Sequence, residues 1–273
     1  MATDDLLTGG ELLQLYPAPT GATQALRGVD VVVRPGAVTA ITGPSGSGKS
    51  SLLAILALRE RPAGGDLRWR GRPVATLGRR DLHRIRRRDI GWIAQVPGHG
   101  LFPQLTARRQ LTQVARLRRV PADPDTALRA LDLTARAGAR LTAMSGGEQQ
   151  RLAVAAAAVG PPALIVADEP TAELDDATAD LVLAHLRSCA AAGAGVVMAT
   201  HDARAVAYAD TVLHLSRGVL SGTTSQTDAG SAHALTIDGQ GRLQLPADAL
   251  AVFPAGRVVV TVGDGHVELR PES

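Results

Sequence analysis

Aromatic residues are scarce in this sequence: Phe, Trp and Tyr make up only 2% of its 273 residues. Any core must therefore be filled by alanine, valine and leucine, and an apolar content of 45% is enough to build one without covalent help. A single cysteine, Cys189, excludes an internal disulfide and fits a reducing compartment. No segment is long and apolar enough to cross a bilayer. The best candidate, LAVAAAAVGPPALIVA (Leu152 to Ala167), is broken by Gly-Pro-Pro and falls short of the ~18–20 residues required. The opening MATDDLL is acidic where a secretory leader needs basic residues. These absences point to a cytoplasmic chain whose membrane role, if it has one, comes through a partner. A formal net charge of +3 is too small to imply nucleic acid. Lysine is scarcer still: Lys49 is the only one, and every other basic side chain is arginine.

That lysine lies in GPSGSGKS, Gly43 to Ser50, which fits the pattern G-x-x-x-x-G-K-[ST] at Gly43, Gly48, Lys49 and Ser50. Glycines let such a loop turn its N–H groups inward around an anion, and the helix that follows adds its positive end. A lysine reaches the β- and γ-phosphates as a point charge, and a serine hydroxyl can hold Mg²⁺. The planar fork of arginine does not fill the same space, which gives Lys49 a reason to be lysine.

The surrounding pattern alternates apolar strands with helices. The strand of Val38 to Ile41 runs straight into the loop, and SSLLAILALRE follows with leucines at helical spacing. DIGWIAQV, ALIVADEP and AGVVMATHD read as further strands, the last two buried and ending in polar groups. Residues 1–12 read as a loose tail, and about 98–142 as helical and polar. Such alternation predicts a parallel sheet flanked by helices, with chemistry at the carboxyl ends of its strands. Asp168 ends one of them, placed to hold the metal shell, and Glu169 follows, placed to polarise a water.

The string MSGGEQQR (Met144 to Arg151), together with ADEPTAELD, strongly resembles the ATP-binding cassette family, over about residues 14–220. The resemblance implies an α/β P-loop NTPase with a RecA-like core, an antiparallel β subdomain and a helical signature subdomain, acting on ATP with Mg²⁺. It implies a phosphate cradle of Gly43, Pro44, Ser45, Gly46, Ser47, Gly48, Lys49, Ser50 and Ser51. Tyr16 falls where the family stacks an aromatic on adenine. Gln95 in WIAQV matches the Q-loop glutamine that approaches the metal held by Ser50 and Asp168. Ser145, Gly146 and Gly147 match the signature core, Asp175 the D-loop aspartate, and His201 in MATHD the switch histidine that contacts the γ-phosphate beside Glu169. In the family, two cassettes pack head to tail with ATP between the loop of one and the signature helix of the other. A second copy of this chain is therefore the first expected partner, and an integral membrane permease subunit the second. IVADEPTAELD and LFPQLTARRQL are most similar to the group serving lipoprotein release, macrolide and peptide export and the related cell-division complex. Two departures stand out. The family carries an arginine in the helix after the signature, where this chain has AVAAAAV, and its valine-x-Glu-Asn segment reads ARRQ here.

Composition changes near residue 221. Residues 221–233, SGTTSQTDAGSAH, read as a linker, and 234–273 as a small all-β domain with a hairpin signal at VTVGDGHVEL. This tail resembles the swapped-hairpin domain of bacterial transition-state regulators, which implies dimerisation or regulation. Its balance of arginine and acid does not suggest DNA. The expectation is thus an ATP-binding domain over 13–220, peripheral at the inner face of the membrane, that drives a transporter. The alternative is a soluble cassette ATPase with a regulatory or DNA-binding tail.

Overall fold

The computed structural model describes residues 5–18, 21–121, 123–225, 233–234, 258–263 and 266–271. A long antiparallel pair, β1 (Leu7–Ala18) and β2 (Gly21–Val33), comes first. The loose tail expected over residues 1–12 is therefore corrected from Leu7 onward, where Leu7 and Leu12 are fully buried. The strand is hard to read because its register shifts between Gly9 and Leu12, where Glu11 takes a positive φ of 52°. Such a bulge breaks the period-two alternation that marks a strand. Next come β3 (Val38–Thr42), α1 (Lys49–Leu56), β4 (Gly64–Trp69) and β5 (Arg72–Pro73). Strands β4 and β5 extend the first pair into a four-stranded antiparallel sheet, ordered β2-β1-β4-β5. The basic run becomes α2 (Arg79–Asp89), which leads into β6 (Ile90–Ile93).

Three helices follow: α3 (Ala107–Arg118), α4 (Pro124–Ala130) and α5 (Gly146–Ala158). The chain then alternates through β7 (Leu164–Asp168), α6 (Asp176–Ala191), β8 (Gly195–Ala199), α7 (Ala203–Ala207), β9 (Thr211–Ser216) and β10 (Val219–Ser225). With β11 (His233–Ala234) they form a seven-stranded sheet ordered β11-β10-β9-β3-β8-β7-β6, in which β9 through β6 run parallel.

Period-two alternation explains why β7 and β8 read as unbroken apolar runs. Ile165, Ala167, Val196 and Met198 face the layer of α3 to α6, whereas Leu164, Val166, Val197 and Ala199 face α1 and the antiparallel sheet. A strand buried on both faces has no polar side to show.

Two expectations about the tail change. The composition break at Ser221 does not end the sheet, because β10 runs on to Ser225 and pairs with β9. Its small polar residues sit in a backbone ladder that needs no apolar side chain. Apart from Ala234, which pairs in β11, the described part of 234–273 is a hairpin of β12 (Val258–Gly263) and β13 (His266–Pro271). Most of the stretch that carries the swapped-hairpin resemblance lies outside the described residues, and that resemblance gains no support.

Leu53 of α1 is fully buried between the two sheets. Leu53→Ala should cost about 2–5 kcal/mol through lost transfer and a residual cavity, seen as a lower urea midpoint at unchanged slope.

Candidate functional site

The functional side chains gather at the carboxyl ends of β3, β7 and β8, where an open α/β sheet leaves room for a ligand. The loop after β3 can only be built with glycine at two points. A Cβ on Gly43 would lie 2.0 Å from the Leu215 carbonyl oxygen, and one on Gly48 would lie 2.4 Å from that of Ala25; their φ angles are +146° and +105°. Gly48 is the N-cap of α1 and offers no side-chain cap, so the first N–H groups of the helix face the loop. Lys49 Nζ donates to the Gly43 and Pro44 carbonyls at 2.7 and 3.0 Å, which centres its ammonium at the loop mouth. An ammonium has three donors, so these bonds do not exhaust it.

A cavity of about 640 Å³ opens above the loop. It is lined by Gly43, Pro44, Ser45, Gly46, Gly48, Lys49, Ser50 and Ser51, with Tyr16, Gln95, Asp168, Glu169 and His201. Ser47 is buried beneath the loop, its backbone N–H donating to Pro44. Ser50 Oγ donates to Asp168 Oδ2 at 2.9 Å. Burial pushes the Asp168 carboxyl above its ordinary range, and the Ser50 bond pulls the other way. A hydroxyl and a carboxylate in contact beside an amide side chain are hard oxygen donors of the kind Mg²⁺ takes at phosphate sites, so the residues fit that ion. Among the described residues no group of three or more His, Cys, Asp or Glu side chains is arranged so that it could hold a metal ion by itself.

Glu169 follows Asp168 with φ +49°, the left-handed region that a side chain rarely adopts. Its N–H donates to Ala199 O at 2.9 Å, and its Oε1 lies 2.8 Å from His201 Nδ1. The hydrogen bond to Glu169, and then its charge, raise the His201 pKa. Thr171 Oγ1 donates to Asp202 Oδ2 at 3.1 Å, so the two loops are braced one step behind the pair.

Tyr16 stands at the cavity edge with its hydroxyl donating to Glu60 Oε2 at 2.7 Å, and Gln14 Nε2 donates to the same oxygen at 3.1 Å. Sequence reasoning missed Glu60, which belongs to no motif. It also missed Thr23, Gln24 and Ala25, which line the cavity from β2.

Ser145, Gly146, Gly147 and Asp175 do not line this cavity. Ser145 caps α5 in a reciprocal box: its Oγ accepts from Glu148 N at 3.2 Å, and Glu148 Oε2 accepts from Ser145 N at 2.9 Å. Arg136 Nε fixes Glu148 at 2.7 Å. Asp175 caps α6, accepting from Thr178 N at 3.0 Å. One chain thus carries a phosphate loop and, apart from it, an exposed helix start bearing two glycines.

A glycine-rich loop joining a central parallel strand to a helix defines the P-loop nucleoside triphosphatases. The sequence profile described as "ABC transporter" matches residues 26–172. The lipoprotein-releasing system ATP-binding protein LolD 2 of Caulobacter vibrioides is 39% identical over 224 residues, which cover 80% of this chain and 97% of that protein. The macrolide export ATP-binding/permease protein MacB 1/2 of Paracoccus denitrificans is 38% identical over 222 residues, 77% of this chain but only 33% of that relative. The dimeric post-hydrolysis structure of the ATP-binding cassette MJ0796 bound to ADP and Pi superimposes with a TM-score of 0.76 at 26% identity, covering 82% of this chain and all of that one. This chain belongs to the ATP-binding cassette (ABC) transporter family, and it is an ATPase with that family's nucleotide-binding fold.

His201 should titrate above the ordinary histidine value of 6.5. A raised folded pKa means that the pair's contribution to stability is full below the ordinary value and is lost as pH rises through the elevated one. Imidazole NMR should show that elevated midpoint, and Glu169→Gln should lower it.

Proposed function

We propose that the chain is the ATP-hydrolysing subunit of an ABC transporter of the lipoprotein-release and macrolide-export kind. Two copies close head to tail around two ATP molecules and so drive an integral membrane permease. The observation that carries this reading is the separation of Ser145, Gly146 and Gly147 from the cavity of their own chain. A second anion site that cannot reach the first loop of the same molecule is useful to the loop of another. A cassette described as dimeric and bound to ADP and Pi supports the analogy. Relatives named for lipoprotein release and macrolide export favour this reading over a soluble regulatory cassette.

In this reading Lys49 and the N–H groups of the loop hold the β- and γ-phosphates, and Tyr16, steadied by Glu60, stacks on the base. Ser50, Asp168 and Gln95 hold Mg²⁺, which when bound neutralises charge on the phosphate oxygens. Glu169 orients and polarises the attacking water. His201 bridges Glu169 and the γ-phosphate. Ser145, Gly146 and Gly147 of the second copy close the site from the far side, with Asp175 at the seam. The proposed domains are an ATP-binding unit built on 13–220, its strands extending from Leu7 in β1 to Ser225 in β10, and a small β unit in the part of 234–273 beyond β11. Among the described residues no helix is long and apolar enough to cross a membrane. The subunit accordingly sits in the cytoplasm against the inner face of the membrane and reaches the permease by docking.

Glu169→Gln should retain ATP and elute as an ATP-dependent dimer in size-exclusion chromatography, with turnover down by about two orders of magnitude or more; normal turnover would remove Glu169 as the water-activating group. Ser145→Arg mixed with Lys49→Ala, each inactive alone, should recover turnover, because the intact loop of one chain meets the intact signature of the other. A mixture as inactive as its two components would show sites contained within single chains.

A further inference from the structure

Arg118, the last residue of α3, is only 7% exposed, and no carboxylate among the described residues pairs with it. Its guanidinium instead gathers three carbonyls. Nη1 donates to Ala157 O at 3.0 Å and to Val159 O, and Nη2 donates to Ile90 O at 3.2 Å. Two of these acceptors belong to the C-terminal end of α5, where a helix leaves carbonyls unpaired and its dipole is negative. The third opens β6, the last strand of the large sheet, which has no strand on its outer side. Burial lowers the Arg118 pKa to about 10, so the group stays cationic at neutral pH. Burying a charge among carbonyl dipoles alone is costly, and an apolar side chain could fill the space. An apolar replacement would, however, leave three carbonyls without this donor, so the arginine is there to fasten these two backbone segments together.

The packing around it is loose in one respect and tight in another. A Cβ on Gly91 would lie 2.4 Å from Ala157 O, so strand and helix end touch more closely than a side chain allows. Beside that contact lies a cavity of about 110 Å³, bordered by Trp92, Ala94, Pro97, Arg118, Ala153 and Ala156. The rear half of α5 is nearly all alanine, and the guanidinium that meets its end comes from α3. Small side chains beside a void set helix register poorly. A directional ionic cap sets it well.

We propose that Arg118 is a positioning residue for the shared nucleotide site: by fastening the rear of α5 to the root of β6, it fixes where Ser145 stands relative to Gln95. This rests on the reading of a site shared between two copies. Ser145 starts α5 and Gln95 lies two residues past the end of β6, so the residue offered to the partner's site and one that lines the chain's own site are carried by elements tied together behind them. The front of α5 is held separately, by Gln150 Nε2 donating to Pro170 O at 3.0 Å. With the rear released, the helix would swing about that contact. Ser145 lies five residues, about 7.5 Å of helix, from that contact, so a tilt of roughly 8° moves it by about 1 Å, and a misplacement of that size can cost about a hundredfold in rate.

The test uses the full chain with Arg118→Met, Arg118→Gln and Arg118→Lys, assayed well below each melting midpoint. Arg118→Met should lower kcat about tenfold or more while the affinity of one chain for a fluorescent ATP analogue changes less than about twofold, and Arg118→Lys should recover part of the loss. In a Glu169→Gln background, Arg118→Met should also weaken ATP-dependent dimerisation. If Arg118→Met does not fold, Arg118→Gln, which keeps two N–H donors without charge, carries the same expectation. A lower melting point with kcat and dimerisation unchanged would overturn the proposal. Failure of Glu169→Gln alone to dimerise with ATP would instead sink the shared-site reading, and this inference with it.

Discussion

One hydroxyl–carboxylate contact, Ser50 to Asp168, joins the first turn of α1 to the end of β7 across the intervening β8, and the site is built outward from it. Asp168 ends a strand buried on both faces, so its carboxylate has little freedom. Ser50 belongs to the helix whose N-cap is the last glycine of the loop, so the loop inherits the position of Asp168. Strand register supplies the rest. Asp168 pairs with Ala199 in the parallel ladder, and Glu169 then donates to the Ala199 carbonyl. His201, two residues further along, therefore faces Glu169 without any long-range adjustment. Four side chains, Ser50, Asp168, Glu169 and His201, converge because three strands end at the same level.

Much of this could be read in the sequence because the physics is local there. A phosphate loop needs its residues in consecutive order, and β3, β7 and β8 announce themselves because burial on both faces leaves no polar position. Where the determinants lie across the chain, the reading failed. Strand β1 hid behind a bulge at Glu11. Strand β10 looked like a linker because its pairing uses backbone groups and asks nothing of its side chains. Glu60 and Arg118 were invisible for the same reason. Each acts through hydrogen bonds to partners far away in sequence, and no spacing rule records such a pair. The separation of Ser145 from the loop was expected only from the family resemblance, and its geometry needed the fold.

The left-handed backbone at Glu169 costs of order 1–3 kcal/mol, and its surroundings show how it persists. Its N–H is held by Ala199, the following Pro170 carbonyl by Gln150, and Thr171 by Asp202. Three successive residues are pinned by three different elements: β8, the signature helix and the segment after His201. The carboxylate is thereby turned toward the cavity rather than along the strand. The same bonds make the signature helix sense any shift of the Glu169 backbone, so the two halves of the chemistry are mechanically joined within one molecule before a second copy arrives.

The solitary lysine has a practical corollary. With every other basic side chain an arginine, the ε-amine of Lys49 is the one side-chain target for amine acylation in the whole chain, and it sits at the mouth of the phosphate loop against two carbonyls. A mild acylating reagent would therefore modify this protein at a single side chain. The rate of that modification would report occupancy of the loop directly, without engineered labels.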